Sequence, residues 1–232
     1  MISIIIPSYN EEAHIKNIIQ QLQKNDIANL ISEIIIVDGN STDNTIAIAK
    51  TEDVKVIVSP NKGRSAQMNH GASVAKENIL YFLHADTIPP IGFTNDIERE
   101  ITLGYSAGCY MLSFDYDNWF LKANCWFTRF DIDMFRFGDQ SLFVTKEMFL
   151  KVGGFSENHI VLEDQHIIKQ LKKICSFKII KKPVLTSARK YLENGIYKTQ
   201  GIFFIIYFMY RLGFSQKKLI ETYRNLIRQD KL

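Results

Sequence analysis

Cysteine is scarce in this sequence, and the cysteines that occur stand far apart. The 232 residues contain Cys109, Cys125 and Cys175, and no CxxC pair. An odd number of cysteines at wide spacing argues against a disulfide framework and against a cysteine-based zinc site. This pattern is typical of a protein that works in a reducing compartment.

Three common nucleotide and metal motifs are also absent. The sequence has no GxGxxG after its first strand pattern, no GxxxxGK[ST] segment and no HExxH pair. These motifs mark dinucleotide-binding proteins, P-loop nucleotide hydrolases and zinc proteases. The sequence therefore gives no support to those three classes.

Long apolar runs and a strong net charge are missing as well. The longest wholly apolar run is Ile202–Tyr210, and it is far shorter than the roughly 20 residues of a spanning helix. The net charge of +3 is too small to indicate nucleic acid as a partner. Met1 leads directly into a strand pattern without a basic leader. We therefore expect a cytoplasmic protein with no nucleic acid partner.

Strand patterns alternate with helix patterns in the first half of the chain. Short apolar runs rich in β-branched residues are typical of strands that are covered on both faces, and they occur at residues 2–6, 34–37, 54–58 and 79–83. Strands separated by helices predict βαβ units, right-handed crossovers and a parallel sheet. The sequence thus predicts an α/β fold.

Polar residues predict where the helices between these strands begin. Glu11 and Glu12 look like first-turn acids of the helix that follows the first strand. Ser41 or Thr42 is expected to cap the next helix. A third helix, rich in small residues, is expected over 65–75.

The alternation changes after about residue 104, but no linker composition appears. Strand patterns occur at 107–114 and 142–144, and an aromatic-rich helix is expected over 119–130. A helix over 146–152 is expected to end at the Gly153-Gly154 pair, and another opens at Glu163-Asp164. We therefore predict one domain over 1–232, with its second half built onto residues 1–104.

Chemically useful side chains follow each of the first four strands. In open α/β sheets ligands bind beyond the carboxyl ends of the strands, so polar groups placed there are site candidates. A ring, three acids and a guanidinium at one sheet edge would suit a nucleoside diphosphate. The base or ribose would meet Tyr9 and Asp38, and the phosphates would meet Arg64 and a metal on Asp86; Glu11 and His84 complete the set.

Each of these side chains also has a structural interpretation. Tyr9 could be a packed aromatic, Asp38 an Asx-turn former before Gly39, Arg64 a surface cation and Asp86 a turn cap. Only the occurrence of such groups at four successive strand ends favours the functional interpretation.

The end of the chain carries a basic amphipathic pattern. Lysines and arginines alternate with apolar residues at helical spacing after the Ile202–Tyr210 run. Two interpretations stay open: contact of residues 202–228 with an anionic membrane surface, or a packed helix with a solvated basic face. The basic residues are Lys217, Lys218, Arg224, Arg228 and Lys231.

Several motifs, taken together, resemble family 2 glycosyltransferases of the GT-A fold. The resemblance rests on residues 4–12, 36–43, 83–87 and 163–164. A further set resembles the bacterial subgroup described as radical-SAM/selenodomain-associated transferases, and it comprises residues 63–69, 138–140 and 186–189. The motifs follow the family order along nearly the whole chain.

The resemblance implies a fold, a reaction and a set of site residues. It implies a Rossmann-like, mostly parallel sheet flanked by helices, with a nucleotide-sugar-binding half at 1–104 and an acceptor-side half with a helical tail at 105–232. The implied reaction transfers a sugar from a nucleotide-sugar donor, UDP-sugar favoured, to an unknown hydroxyl acceptor, with inversion and a divalent metal, Mn²⁺ or Mg²⁺. The implied donor-binding residues are Pro7, Tyr9, Glu11, Asp38, Arg64, His84 and Ala85; the implied substrate residues are Asp139, Gln140, Glu163 and Arg189.

The resemblance also assigns the metal ligand and the base. Asp86 matches the last acid of the family's DxD element, whereas His84 replaces its first acid, so we expect weaker metal binding. Asp164 matches the catalytic base, and its predicted first-turn position favours the ionised carboxylate. First-turn acids also serve simply to complement the helix dipole. Arg189 and Lys190 are expected to face phosphates.

Two other classes of function stay open. A nucleotidyltransferase can use a similar sheet, although it usually carries a glycine-rich signature with a lysine after the first strand, and residues 7–12 have none. A nucleotide-sugar-binding protein without turnover is compatible with the missing first acid of the DxD element. The QxxRW element of many relatives is also absent, which argues against a processive polymerase.

Overall fold

A computed structural model describes residues 1–136 and 138–228 of the chain. The strands are β1 (Ile2–Ser8), β2 (Ile31–Asp38), β3 (Lys55–Val58), β4 (Ile79–Phe82), β5 (Thr87–Ile88), β6 (Ala107–Phe114), β7 (Leu142–Thr145) and β8 (Phe177–Thr186). The helices are α1 (Ile15–Asn25), α2 (Thr45–Ala49), α3 (Arg64–Val74), α4 (Phe93–Thr102), α5 (Trp119–Phe127), α6 (Lys146–Lys151), α7 (Glu163–Ile174), α8 (Arg189–Asn194), α9 (Ile196–Arg211) and α10 (Gln216–Leu226), with short 3₁₀ turns at Asp133–Phe135 and Gly138–Gln140.

The strands of the described residues form one mixed sheet in the order β3-β2-β1-β4-β7-β6-β8-β5. The first four strands in this order are parallel, as the alternating pattern predicts. β7 is antiparallel to both β4 and β6, and β8 runs parallel to β6 and antiparallel to β5. The carboxyl ends of β1, β2, β3 and β4 therefore meet at one edge of the sheet.

Helices cover both faces of the sheet because successive side chains of a buried strand point to opposite sides. Ile4 and Ile6 of β1 pack in a core cluster with residues of α1 and α4, whereas Ile5 packs in a second cluster with residues of α3 and α7. Gly71 of α3 allows a close approach, since a Cβ there would lie 2.5 Å from the Ile5 side chain. The continuous isoleucine run of β1 is thus buried on both faces.

A buried glutamine ties the carboxyl ends of two strands together. The Gln67 side-chain amide, on α3, donates to the Ser8 carbonyl at 2.8 Å and to the Val37 carbonyl at 2.8 Å. Gln67 is buried, so neither bond is exposed to competition from water. It therefore fixes the relative position of β1 and β2 at the edge where the predicted site lies.

Replacing Gln67 with methionine is expected to lower the free energy of unfolding by about 2 kcal/mol, because buried carbonyls lose a donor while side-chain volume is kept. Urea unfolding measures the change. Ser73→Ala is the matched control, because Ser73 is exposed on the same helix and the change should stay within about 0.5 kcal/mol. Equal midpoints for Gln67→Met and the wild type would show that the amide bonds add nothing to stability.

Two predicted helix starts are wrong, and both lie beside the site edge. α1 begins at Ile15, so Glu11 and Glu12 precede it. The Glu11 amide donates to the Thr45 hydroxyl oxygen at 2.8 Å. α2 begins after Asn44 without a side-chain cap, because Ser41 is instead bonded to Asp38. The polar residues of these loops bind each other, and the start of α2 is held by Asp43, whose Oδ1 accepts from the Thr45 amide at 3.0 Å.

Other differences concern the second half of the chain. α5 ends at Phe127 rather than at residue 130. β8 has no clear sequence pattern because Pro183 interrupts it; it pairs with β6 across a register shift between Tyr110 and Met111. The predicted helix end at Gly153-Gly154 is confirmed, since both glycines have positive φ after α6.

The C-terminal helices form a small cluster of their own. Ile202 and Ile206 of α9 pack against Leu219 and Tyr223 of α10. The basic residues 217, 218 and 224 are exposed, so the helix is packed with a solvated basic face, and contact with a membrane stays a prediction. Lys231 lies outside the described residues. No helix in the described part of the chain combines the length and apolar character of a membrane span.

Candidate functional site

A pocket of about 280 Å³ opens at the carboxyl edge of β1 and β4. We call it the site pocket. Loops and helices from distant parts of the chain form its walls, including the segment that follows β8. Nine of the residues that the sequence singles out as site candidates line it: Pro7, Glu11, Arg64, His84, Ala85, Asp86, Asp139, Arg189 and Lys190.

Arg189 joins two of the predicted acids. Its Nη2 atom lies 3.1 Å from Glu11 Oε1 and 3.4 Å from Asp86 Oδ2. The Asp86 carbonyl accepts a hydrogen bond from the Ser187 amide at 3.2 Å, which ties the segment before α8 to the turn after β4. Burial and then the charge of Asp139 raise the pKa of the Asp86 carboxyl, whereas His84 and Arg189 lower it. Asp86 is therefore a carboxylate held by a cation rather than a turn cap.

His84 is paired with a carboxylate from the other half of the chain. Its Nδ1 atom lies 2.8 Å from Asp139 Oδ1. Burial opposes ionisation of Asp139, but the His84 hydrogen bond and charge hold the pKa of its carboxyl at about 2. Burial also opposes the charged form of His84, and Asp139 nevertheless raises the pKa of its ring. Asp139 is thus the partner of His84.

Asp164 lies against the backbone of Gly138. A Cβ at Gly138 would be 2.0 Å from Asp164 Oδ2 and 3.0 Å from His84 Cε1. No side chain larger than that of glycine fits at 138 unless Asp164 or the backbone moves. The Asp164 carboxylate is therefore held close to the His84–Asp139 pair.

The first-turn position of Asp164 favours its ionised carboxylate, but burial opposes it. Burial, followed by the charge of Glu163, raises the pKa of its carboxyl to about 7, although His84 and Arg64 act in the opposite direction. The N-terminal dipole of α7 favours the carboxylate, but desolvation of the charge outweighs it. Asp164 therefore titrates near neutral pH.

Arg64 joins α3 to the start of α7. Its Nη1 atom lies 2.9 Å from Glu163 Oε1, and Glu163 is only 4% exposed. Burial opposes the charge of Arg64, but Glu163 and then Asp164 raise its pKa further above its usual range. Arg64 is thus an ion-paired pocket residue, and Glu163 is its partner.

Five predicted residues lie outside the lining of the site pocket, namely Tyr9, Asp38, Gln140, Glu163 and Asp164. Asp38 is fully buried, and both of its carboxylate oxygens accept from Ser41, as in an Asx turn. The Gln140 side-chain amide donates to the Tyr110 carbonyl at 3.0 Å. Tyr9 is half-buried directly after β1. The ligand-binding roles of Tyr9, Asp38 and Gln140 stay predictions, as do those of the residues that line the pocket.

The predicted metal position offers one carboxylate, that of Asp86. Among residues 1–136 and 138–228, no three acidic, histidine or cysteine side chains are arranged to hold a metal ion. Asp86 faces the site pocket, and Arg189 is its nearest cation. This donor set fits a metal that takes most of its oxygen ligands from a diphosphate and water.

Two charged residues of the site pocket, Glu193 and Arg228, were not predicted as site residues, and Arg228 was placed only in the basic tail. A larger cavity of about 490 Å³ lies between β6 and α5, shares Phe114 with the site pocket and contains none of the predicted residues. The only sequence signal for Arg228 is its place after an apolar helical pattern, which does not indicate a pocket.

Comparison with known proteins identifies the family. The sequence model of Glycosyl transferase family 2 matches residues 3–150. The chain belongs to glycosyl transferase family 2. The matched residues include Asp86 and Asp139, whereas Asp164 and Arg189 follow them. The match establishes the family but not the radical-SAM/selenodomain-associated subgroup.

Curated relatives are described as glycosyltransferases. An uncharacterized glycosyltransferase from Haemophilus influenzae is 28% identical over 76% of this chain and 64% of that protein. One from Rickettsia typhi is 39% identical over 37% of this chain. The chain spans only about a quarter of the length of the Rickettsia protein (27%).

Solved structures show the GT-A fold. A Pyrobaculum calidifontis mannosyltransferase in complex with GDP-Man and Mn²⁺ has a TM-score of 0.67 and 17% identity, covering 97% of this chain and 70% of that chain. Staphylococcus aureus TarS 1-349 in complex with UDP-GlcNAc has a TM-score of 0.68 and 16% identity, covering 80% and 58%. The predicted α/β fold of this family is therefore confirmed.

Proposed function

We propose that this family 2 protein transfers a sugar from a nucleoside diphosphate donor, UDP-sugar favoured, to an acceptor hydroxyl with inversion. The observation that carries the proposal is the convergence of Glu11, Asp86 and Arg189 on one pocket, with Asp164 held beside His84. An acid and a cation at the strand ends suit a diphosphate, and a second acid near them suits proton removal. The nucleotide-sugar complexes of the solved structures support the donor class.

The donor end is built from charges of both signs. Asp86 would hold a divalent metal, Mn²⁺ or Mg²⁺, which would stabilise the negative charge that develops on the departing diphosphate. Arg64 and Arg189 would bind phosphate oxygens by exchanging part of their carboxylate contacts. Guanidinium groups are well suited to this role because they present several donors in one plane.

Asp164 acts as the general base in this proposal. A carboxylate whose pKa is about 7 is well matched to taking a proton from a hydroxyl at neutral pH. The acceptor oxygen then attacks the anomeric carbon in a single displacement. One displacement from the face opposite the diphosphate inverts the configuration at that carbon.

Calorimetric titration with UDP and with GDP, each with and without Mn²⁺, tests the donor site. We expect UDP to bind more tightly than GDP, and Mn²⁺ to strengthen binding about tenfold or more, since the metal links Asp86 to the diphosphate. Absence of binding by both nucleotides under all conditions would contradict the proposed function.

Product analysis separates the remaining classes. Incubation with UDP-sugars and GDP-sugars releases nucleoside diphosphate if the chain transfers or hydrolyses the sugar. Release of pyrophosphate from a nucleoside triphosphate and a sugar phosphate would indicate a nucleotidyltransferase. Tight donor binding without any release would indicate a binding protein.

Peripheral membrane contact through residues 202–228 stays a prediction. Exposed apolar side chains on and after α9, namely Ile205, Phe208, Leu212 and Phe214, support it, together with the neighbouring lysines at the start of α10. Such a contact would suit an acceptor carried at the inner face of a membrane.

A further inference from the structure

One wall of the site pocket is built from the C-terminal part of the chain. Lys190 of α8 and Arg228, which follows α10, both line the pocket that also contains Asp86. The position of Arg228 is fixed by the fold, because the preceding Ile227 is buried and its amide donates to the Tyr223 carbonyl at 2.9 Å. Arg228, the last described residue of the chain, therefore lies with its charge at the proposed donor site.

Asn194 joins the two segments that carry these cations. Its side-chain amide donates to the Lys190 carbonyl at 3.0 Å and to the Arg228 carbonyl at 3.3 Å. Its side-chain oxygen accepts from the Arg228 amide at 2.8 Å. The end of α8 and the segment after α10 are therefore held together at the mouth of the pocket.

The pocket cations fall into two groups. Arg64 is paired with Glu163 at 2.9 Å, and Arg189 with Glu11 at 3.1 Å. Within residues 1–136 and 138–228, neither Lys190 nor Arg228 forms a salt bridge, although Glu193 lines the same wall. The charge of Lys190 acts on Asp139 in the same pocket, but two cations on one pocket wall that are not held in a salt bridge still attract an anion.

We propose that Lys190 and Arg228 together bind a phosphate group of a substrate. The inference rests on the proposed function, and it adds the tail of the chain to the binding site. Ammonium and guanidinium groups both form charge-assisted hydrogen bonds to phosphate. The phosphate belongs either to the diphosphate of the donor or to a phosphate group on the acceptor, and the experiment distinguishes these two sources.

The experiment compares Lys190→Gln and Arg228→Gln with two matched controls. Lys198→Gln and Arg224→Gln remove the same charges from exposed positions on α9 and α10 that do not line the pocket. Thermal unfolding of each variant verifies that it is folded. UDP is titrated calorimetrically into each protein with Mn²⁺, and inorganic phosphate is then titrated into the UDP-saturated protein.

If the donor supplies the phosphate, each pocket variant raises the Kd for UDP about tenfold, and the controls change it less than about twofold. If the acceptor supplies it, the variants keep the wild-type Kd for UDP, but phosphate binds the UDP-saturated wild type and not Arg228→Gln. Unchanged UDP affinity together with no phosphate binding by the wild type would overturn the subsite.

A separate outcome concerns the proposed function itself. If the wild type binds neither UDP nor GDP, the donor site is contradicted, and inorganic phosphate is titrated into the free protein instead. Phosphate binding that disappears in Arg228→Gln but persists in Arg224→Gln would still support the anion subsite. Equal binding by both variants, or none by the wild type, would overturn it.

Discussion

Replacing Asp164 with asparagine is expected to lower the rate of sugar transfer by a factor of about 10²–10⁴ and to leave UDP affinity unchanged within about twofold. Asparagine keeps the shape of the side chain but cannot accept the proton of the acceptor hydroxyl. Nucleoside diphosphate release under saturating donor measures the rate, and calorimetry measures the affinity. A variant that keeps most of its turnover would remove Asp164 from the mechanism.

The same variant has an expected signature in stability. The pKa of Asp164 is raised from 3.8 to about 7 in the folded protein, so the wild type loses stability as pH rises through this window. Asparagine does not titrate. We therefore expect Asp164→Asn to be more stable than the wild type by about 2 kcal/mol at pH 8, a value reduced from the full shift because the group is partly exposed, and nearly equal to it at pH 4.

Three further variants accompany this result. Asp117→Asn removes a carboxylate whose side chain is 84% exposed, and neither its transfer rate nor the pH dependence of its stability should differ from the wild type. Gly138→Ala keeps the Asp164 carboxyl group but displaces it, because a Cβ at position 138 would lie 2.0 Å from Asp164 Oδ2. Gly201→Ala, whose Cβ would meet nothing within 4 Å, should retain full activity.

Replacing Asp86 with asparagine is expected to weaken UDP binding in the presence of Mn²⁺ by about a hundredfold or more, since the predicted metal loses its protein carboxylate. Calorimetric titration measures the affinity with Mn²⁺ and, separately, with a chelator. With the chelator, the order of the two UDP affinities should reverse. Asp86→Asn then binds UDP more tightly than the wild type, because one carboxylate no longer repels the diphosphate and Arg189 loses a competing partner.

The reversal distinguishes a metal ligand from a structural residue. A variant that was merely misfolded would bind UDP less tightly under both conditions. Asp117→Asn again serves as the charge-matched control and should follow the wild type throughout. If Mn²⁺ strengthens UDP binding equally in Asp86→Asn and the wild type, the metal is held by other residues, and the predicted role of Asp86 is wrong.

The pattern of apolar residues was sufficient to predict the sheet edge on which the site lies. β1, β2 and β4 are short, largely apolar and separated by helix patterns, and such strands are typical of a parallel sheet that is covered on both faces. Parallel strands bring their carboxyl ends to one edge. Glu11 and Asp86 therefore had to lie near each other, although 75 positions separate them in the sequence.

The family motifs predicted site residues that hydrophobic periodicity could not predict. Asp139, Asp164 and Arg189 lie in the second half, where strand and helix patterns are irregular and β8 contains Pro183. Nothing in their spacing indicates the pocket. Only the likeness of short segments to family 2 glycosyltransferases singled them out before the structure was known.

Pairing and protonation were decided by the tertiary structure alone. His84 meets Asp139, and Arg189 meets Glu11 and Asp86, across separations that no local pattern can encode. The pKa of Asp164 depends on how completely the fold removes water from it and on which charges it places nearby. The sequence by itself therefore determined which residues reach the sheet edge, because strand direction follows from local apolar pattern. The tertiary structure decided their partners and charges, because desolvation and ion pairing depend on distances between segments that are far apart in the chain.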